Sequence, residues 1–199
     1  MVNNFLFKDR DGQTPLPPEL RKGLKPKYIQ NIGELDEHEE ENIAEGLAWL
    51  QKCNENGLTY NFWQKLHKKL FEKVWSWAGE IRKHELDNLY FLSAHQIWPE
   101  FKKLEDDLNY WIESKEISTQ EIAARFHEKI ETIHPFAKGN GRFGRILIEY
   151  FCRKSGEKIP TWGSSLKSDP SARRQIYIEA LNKTRQTRTY NDLIKFMFS

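Results

Sequence analysis

The amino-acid sequence predicts an all-α fold with one small β-hairpin. Apolar residues recur at helical spacing in most segments after residue 33, as in Phe62, Leu66 and Leu70. Capping residues stand before several of these segments. One segment, residues 80–92, breaks the helical period, and a turn-prone Asp-Asn pair there separates two short apolar runs. We therefore expect a helical core with a small hairpin before its third main helix.

The composition fits a globular protein and excludes several other classes. The chain has 199 residues, of which 38% are apolar, 30% charged and 13% aromatic, which suits one domain and not a disordered chain. No stretch approaches the roughly 20 apolar residues of a membrane-spanning helix, and the N-terminus has no signal-peptide layout. The two cysteines, Cys53 and Cys152, match no zinc spacing. A cytoplasmic, reducing environment is the expectation.

The first two segments of the chain differ sharply in character. Residues 1–33 carry four prolines and three glycines, which predict an extended N-terminal arm, and residues 34–199 form the predicted domain. The domain opens with an acidic helix over residues 34–56, whose first twelve positions include seven carboxylates: Glu34, Asp36, Glu37, Glu39, Glu40, Glu41 and Glu45. Asp36 and Glu39 have the spacing of a capping box.

The remaining helices follow from apolar stripes and their end signals. A second helix spans about residues 61–77 and stops at Gly79, and a third carries the stripe from Ile97 to Trp111. Ser118 and Glu121 form a capping box for the fourth. The last three are a helix over residues 141–154, one that starts at Asp169-Pro170 and a short C-terminal helix.

Charge is distributed unevenly along the chain. From residue 139 to the end there are twelve basic and five acidic residues, although the whole chain carries a net charge of only +2. A basic C-terminal third suggests an anionic ligand, either a nucleic acid or the phosphates of a nucleotide. Composition leaves that choice open.

The segment IHPFAKGNGRFGR, residues 133–145, concentrates residues suited to phosphate chemistry. Pro135 disfavours α conformation at His134, so the fourth helix should end there and leave the imidazole at a helix-loop junction. Gly139-Asn140-Gly141 lets a ligand approach the start of the next helix, where free N–H groups attract anions. Arg142 and Arg145 in that first turn complete a polyphosphate cradle, beside which His134 could act as a general base.

Each piece also has a structural interpretation. A His-Pro pair often just terminates a helix, a Gly-Asn-Gly sequence is usually a turn, and arginine pairs on helices usually face solvent. Phe136 is a buried anchor under either interpretation. The joint occurrence of all the pieces within thirteen residues favours function.

The run HPFAKGNGR followed by Arg145 resembles the signature of the Fic (Fic/Doc) family, HPFx(D/E)GNGRxxR. Only the acidic position differs, because Lys138 stands there. LHKKLFEKVWSWAGEIRK, residues 66–83, resembles the family segment that leads into a flap hairpin, here residues 80–92 between Ile81 and Leu92. The acidic helix and this segment are most similar to the mobile mystery protein B subfamily, which is associated with mobile elements. The resemblance covers most of the chain.

The resemblance implies a protein adenylyltransferase that acts on ATP. His134 would take the proton from a Tyr, Ser or Thr hydroxyl of a target protein or of the chain itself, and that oxygen would attack the α-phosphorus. Asn140 and the amides around Gly139 and Gly141 would hold the α- and β-phosphates, while Arg142 and Arg145 would reach the β- and γ-phosphates. The flap would hold the target segment by strand-like pairing. A toxin-antitoxin-like partner is a further implication, and no membrane or nucleic-acid partner is expected.

Lys138 leaves the role of metal open, since a cation cannot ligate the Mg²⁺ that the family's acidic residue binds. Lys138 could neutralise phosphates directly, or the nucleotide and water alone could hold the ion. His67, His84 and His95 have no ligand spacing with one another, so no structural metal is predicted. Adenylyl transfer is the first interpretation; a different phosphoryl or nucleotidyl transfer and a non-enzymatic nucleotide- or DNA-associated protein are the alternatives.

The acidic helix suggests self-inhibition. Some Fic proteins have an inhibitory (S/T)xxxE(G/N) helix whose Glu pairs with the second motif arginine. Glu41-Asn42-Ile43-Ala44-Glu45-Gly46 matches this pattern in part, with Glu41 at the Ser/Thr position. The specific hypothesis is a Glu45–Arg145 pair, and the alternative is a solvated acidic face.

Overall fold

The computed structural model describes residues 22–29, 32–165 and 169–199. The described residues form seven helices, which confirms the all-α prediction. They are α1 Ile32–Gln51, α2 Tyr60–Phe71, α3 Ala94–Ser114, α4 Thr119–Ile133, α5 Asn140–Lys154, α6 Pro170–Thr187 and α7 Asn191–Phe198. No described helix has both the length and the apolar character that crossing a bilayer requires.

Most of the predicted N-terminal arm, residues 1–21, lies outside the described part of the chain. Residues 22–29 run along the turn that follows α2, where Leu24 forms an antiparallel bridge with Trp75. The Lys25 N–H donates to the Val74 carbonyl at 2.9 Å, and the Ser76 N–H donates to the Gly23 carbonyl at 2.8 Å. The helix α1 then starts at Ile32, before the boundary that its acidic residues suggest.

Two predicted helix starts have the expected side-chain caps. The Ser118 hydroxyl accepts a hydrogen bond from the Glu121 N–H at 3.2 Å. The Asp169 carboxylate accepts from the N–H groups of Ser171 and Ala172 at 2.8 and 3.0 Å. These contacts satisfy helix-start donors that would otherwise lack a partner. They fix where α4 and α6 begin.

The core forms where α2, α3, α4 and α5 converge. Trp63 of α2 is fully buried, with ring centroids of Phe101 from α3 and Phe126 from α4 both 5.1 Å away. Phe143 of α5 is also fully buried and lies edge-on to Phe136 at 5.0 Å. Burying one such side chain contributes about 1.5–3 kcal/mol. The core therefore holds the end of α4 and the start of α5 rigidly. Residues 133–145, called the motif below, join these two helices.

The helix α1 packs against α2 through a narrow stripe. Asn42 binds the end of α2 through both side-chain polar atoms: its amide donates to the Lys69 carbonyl at 3.1 Å, and its oxygen accepts from the Lys73 N–H at 2.8 Å. A Cβ on Gly46 would lie 2.9 Å from the Lys69 carbonyl oxygen, so the two helices touch there. The buried residues of α1 recur every three or four positions: Leu35, Glu39, Asn42, Ile43, Gly46 and Leu50. One of them is a carboxylate.

The flap, residues 80–92, differs from the predicted hairpin. Within these described residues there is no strand ladder, and Ile81 instead forms a single antiparallel bridge with Phe136. The Arg82 N–H donates to the Pro135 carbonyl at 2.9 Å, and the Leu92 N–H donates to the Thr132 carbonyl at 3.1 Å. The hairpin prediction is wrong because these bonds join the two ends of the flap to the end of α4 and to the loop after it, instead of to each other.

Candidate active site

His134 ends α4 in a left-handed conformation. Its φ and ψ are 48° and 59°, and its N–H still donates to the Ile130 carbonyl at 2.9 Å. A left-handed residue other than glycine costs roughly 1–2 kcal/mol, so the surrounding contacts must hold it there. Pro135 disfavours continuation of the helix, as the sequence predicts. The imidazole therefore stands at the junction of helix and loop.

The loop after His134 is fixed from inside by Asn140. The Asn140 oxygen accepts from the Phe136 N–H at 2.9 Å, and its amide donates to the Phe136 carbonyl at 2.7 Å. Asn140 is only 2% exposed. The sequence suggests a direct phosphate contact for this side chain, but both polar atoms bind the loop backbone. Its contribution to a nucleotide would therefore come through the shape of the loop.

Gly139 is the N-cap of α5, and no other residue fits its position. Its φ is +82°, in the region that favours glycine, and a Cβ there would lie 2.5 Å from Cζ of Phe71. At Gly141, by contrast, the nearest atom to a Cβ is 3.6 Å away. The backbone at the start of α5 is thus open on the Gly141 side, where the first N–H groups of a helix attract anions.

His67 supports the loop from α2. Its Nδ1 accepts the Gly79 N–H at 2.9 Å, so its Nε2 carries the proton and donates to the Lys138 carbonyl at 3.0 Å. The ring stacks on Phe136 with centroids 3.7 Å apart. Burial lowers the pKa of His67 to about 3, which keeps the ring neutral with this pattern of donor and acceptor. Sequence reasoning missed this role, whose only signal is a histidine on the stripe of α2.

A buried carboxylate joins two cations of the motif. Glu39 of α1 is 0% exposed; one oxygen lies 2.6 Å from Nη2 of Arg142, and the other lies 3.3 Å from Nζ of Lys138. The Trp75 indole donates to the latter oxygen at 2.7 Å. Burial raises the pKa of Glu39, but Arg142, Lys138 and the indole together outweigh it, and the pKa lies below its ordinary value. Glu39 is therefore an ionised, fully buried anion.

Glu45, the residue proposed as inhibitory, lies elsewhere. Its side chain is about half exposed and pairs with Lys73 at the surface. The structure thus corrects the predicted Glu45–Arg145 contact: Glu39, six residues earlier, is the carboxylate of this helix that reaches the motif. The reason is helical phase, since Glu39 falls on the buried stripe of α1 and Glu45 does not.

The two motif arginines point to different neighbours. The Arg142 guanidinium lies 5.0 Å from the centre of the Phe71 ring, on the side that faces Glu39. Nη1 of Arg145 lies 3.6 Å from the position that a Cβ on Gly141 would occupy. Burial lowers the pKa of His127 on α4, and the charge of Arg145 lowers it further in the same direction. Arg142 therefore turns toward α1 and Arg145 toward α4, whereas the sequence predicts one shared face.

The flap covers His134. The Phe91 ring is stacked on the imidazole with centroids 3.7 Å apart and planes 13° apart, and Nδ1 of His134 is buried without a hydrogen-bond partner. Burial above all, together with the nearby charges of Arg82 and Arg185, lowers the pKa of His134 to about 3, and a hydrogen bond to the Glu131 backbone opposes this shift. At neutral pH the imidazole is uncharged, which is the form that can accept a proton.

Arg82 ties the flap to His134. Its buried guanidinium donates to the carbonyl oxygens of His134 and His84 at 2.8 Å each and of Leu92 at 2.5 Å. The predicted docking residues Ile81 and Leu92 lie at the ends of this arrangement. Their backbones anchor the two ends of the flap to the end of α4 and to the loop after it.

Arg82→Gln should destabilise the fold by about 3 kcal/mol, because buried carbonyl groups lose their donors. Urea unfolding followed by circular dichroism at pH 7 measures this loss. Lys83→Gln, at the exposed neighbouring position, is the matched control and should change stability little. A midpoint for Arg82→Gln equal to that of the control would contradict the bracing role.

The site does not fit a metal held by the protein. The described residues contain no group of three His, Cys, Asp or Glu side chains that could hold a metal ion. At the position where the motif has an acid, Lys138 brings a positive charge, which forms an ion pair with Glu39. A divalent ion next to Lys138 would be repelled.

The fold and the site define a class of protein: a helical domain in which one short loop joins a neutral imidazole to an anion-attracting helix start. Residues 57–152 match the model of the Fic/DOC family. These residues form a Fic/DOC family domain. They contain α2, the flap and the whole motif. The resemblance to the mobile mystery protein B subfamily stays a prediction.

Curated relatives carry names that agree with this family. The chain is 31% identical over 101 residues to protein adenylyltransferase VbhT of Bartonella schoenbuchensis; the match covers 48% of this chain and 21% of VbhT. It is 26% identical to the probable protein adenylyltransferase y4lH of Sinorhizobium fredii, over 66% of this chain and 70% of that protein. The match thus spans about a fifth of the first relative and over two thirds of the second.

A solved structure shares the fold over most of the chain. The crystal structure of BepC from Bartonella tribocorum, with bound AMPPNP, has a TM-score of 0.65 and 23% identity. The match covers 85% of this chain and 87% of that one. This likeness extends the shared fold well beyond residues 57–152.

Proposed function

We propose that this protein transfers AMP from ATP to a hydroxyl group of a target protein. The observation that carries the proposal is the neutral His134 at the end of α4, in the same loop as Lys138 and six residues before the start of α5, which carries Arg142. The names of the two relatives support the same reaction. The AMPPNP in BepC supports ATP as the substrate.

The proposed reaction assigns one role to each of these groups. His134 takes the proton from a Tyr, Ser or Thr hydroxyl of the target, and the hydroxyl oxygen forms a bond to the α-phosphorus. The bond from that phosphorus to the bridging oxygen breaks, and pyrophosphate leaves with the electron pair. The amides at the start of α5, with Lys138 and Arg142, offset the charge on the leaving group.

The target segment would meet the flap between Ile81 and Leu92. Leu89 is fully exposed there and Tyr90 partly exposed, so the flap offers apolar contacts near His134. The flap must move before a hydroxyl can reach the imidazole, because Phe91 covers its face and Nδ1 is buried. Target binding and exposure of the base are therefore coupled.

The cellular setting is part of the proposal. ATP is a substrate of the cytoplasm, and both cysteines, Cys53 and Cys152, are free thiols, which suits a reducing compartment. An antitoxin-like partner that restrains the enzyme is consistent with a proposed activity that modifies other proteins.

Separate incubations with α-labelled and γ-labelled ATP test the proposal, with a cell lysate as the source of targets. Label on protein from the α position alone is the expected result, with and without EDTA. Label from the γ position alone would show a phosphotransferase instead. No label from either, together with retention on DNA at moderate salt, would favour a binding protein and overturn the proposal.

A further inference from the structure

We propose that Arg185 of α6 is a positioning residue of the proposed reaction, which holds the flap against the end of α4 and so sets how often a target hydroxyl can reach His134. The inference rests on the proposed function, because it takes His134 as the base. It adds a residue that lies outside residues 57–152, the part of the chain that matches the family model.

The guanidinium of Arg185 contacts α4 and the flap at the same time. Its Nε donates to the Thr132 hydroxyl at 3.0 Å, two residues before His134. Its Cζ lies over the ring of Tyr90, 5.1 Å from the ring centroid, and Tyr90 directly precedes Phe91. The Arg185 side chain is only 11% exposed. It therefore bridges the end of α4 and the part of the flap that covers the imidazole.

The two contacts of this bridge differ in strength. On α4, the Thr132 hydroxyl donates to Oε1 of Glu128 at 2.8 Å, and Nε of Arg185 lies 4.0 Å from the same oxygen. Glu128 is buried, and a buried carboxylate holds its partners firmly because leaving them is costly. Tyr90 is partly exposed, so its cation–π contact with Arg185 is the weaker of the two. The contact with the flap is therefore the one that can open.

Release of Tyr90 would uncover His134. The Phe91 ring, next to Tyr90 in the chain, is stacked on the imidazole with centroids 3.7 Å apart. The following residue, Leu92, stays attached, since its N–H donates to the Thr132 carbonyl at 3.1 Å. Phe91 can thus leave the imidazole while the ends of the flap keep their backbone anchors.

Arg82 and Arg185 have different roles at the flap. The guanidinium of Arg82 donates to three backbone carbonyl groups, which belong to the motif and to the flap itself. That of Arg185 donates to the side chains of Thr132 and Asn182 and lies over the ring of Tyr90. Loss of Arg185 should therefore leave the backbone anchors in place and free only the cover over His134.

Modification of His134 by diethyl pyrocarbonate tests this role without requiring catalysis. We expect Arg185→Gln to raise the rate of modification by about tenfold, the order of one lost cation–π contact, because the flap opens more often. The matched Lys183→Gln removes a positive charge from the surface of the same helix and should stay within about twofold of the parent. Mass spectrometry of proteolytic peptides measures the rates.

Other histidines of the same protein separate a freed flap from a general loss of structure. The fully buried His67 should stay as protected in Arg185→Gln as in the parent, and the exposed His95 should react equally fast in both. Equal increases at His67 and His134 would show a purely structural role for Arg185 and overturn the inference. An unchanged rate at His134 in the folded variant would also overturn it.

Variants of Tyr90 test the same contact from the flap and keep the test decisive if Arg185→Gln does not fold. Tyr90→Phe keeps the ring and should stay within about twofold of the parent, whereas Tyr90→Ala should expose His134 about tenfold. The double variant of Tyr90→Ala and Arg185→Gln should react no faster than either single variant, because both remove one contact. Effects that multiply in the double variant would overturn the role of the ring contact.

Labelling with α-labelled ATP connects this role to the proposed function. The closed flap excludes the target, so Arg185→Gln should lower the lysate concentration for half-maximal labelling by about threefold or more and leave the maximal rate within about twofold. An unchanged half-maximal concentration would overturn the inference. Faster modification of His134 without labelling in any variant would overturn the proposed function and leave the hold of Arg185 on the flap standing.

Discussion

His134→Asn should lower the transfer of α-label to protein by about 10³-fold, the typical contribution of a positioned general base. The imidazole is uncharged and stands at the end of α4, six residues before α5 begins. Asparagine is the informative replacement because it tolerates left-handed backbone, so φ of 48° at this position need not change. The measurement is the initial rate of labelling under saturating ATP.

The control for this variant separates chemistry from binding. Calorimetric affinity for ATP should be preserved, because the proposed contacts to phosphate come from α5 and Lys138. His95→Asn changes an exposed histidine near the flap and should label at the parent rate. Labelling by His134→Asn above a tenth of the parent rate would mean that another group takes the proton.

Acid should unfold the protein at a pH where many domains are stable. Burial holds the pKa values of His67, His127 and His134 at about 3 in the folded protein, against about 6.5 in the unfolded chain. As the pH falls, the histidines of the unfolded chain therefore bind protons at a higher pH than those of the folded protein. Stability is complete above pH 6.5 and falls as the pH drops toward 3, by about 2 kcal/mol for each histidine at pH 5.

Three such groups give a loss of about 6 kcal/mol between pH 7 and pH 5, comparable with the total stability of a small domain. Urea midpoints at the two pH values measure it. His127→Gln keeps polar atoms for Tyr177 and should remove about a third of the pH dependence, whereas the exposed His95→Gln should leave it unchanged. Equal midpoints at pH 7 and pH 5 would show that these rings are protonated without unfolding.

Local patterns in the sequence predict most of the helices, although Asp36 and Glu39 lie inside α1 and do not cap its start. Capping residues such as Ser118 and Asp169 act within one turn, so their effect is visible in the sequence itself. The same holds for His134, where the following proline fixes the end of α4. The prediction of a flap hairpin fails for the opposite reason. The backbone of the flap binds the carbonyls of Thr132 and Pro135, which are about 40 to 50 residues away along the chain.

The site is predicted in part, because its parts lie at different distances along the chain. Residues 134–142 are contiguous in the sequence, and their residue types predict an anion site. The partners of this loop are distant: Glu39, His67 and Arg82 act on it from α1, α2 and the flap. One signal could have selected Glu39 over Glu45, since only Glu39 has the spacing of the apolar stripe from Leu35 to Ile43.

The contact between Gly139 and the Phe71 ring implies that position 71 tolerates substitution during evolution more readily than position 139. A smaller residue at position 71 would make room for a methyl group at position 139, yet the backbone there would still have a φ of +82°. Gly139 is thus required for two reasons, the lack of space for a Cβ and the positive φ. Phe71 is required only for its packing against neighbouring side chains. Descendants of this gene should lose the phenylalanine before they lose the glycine.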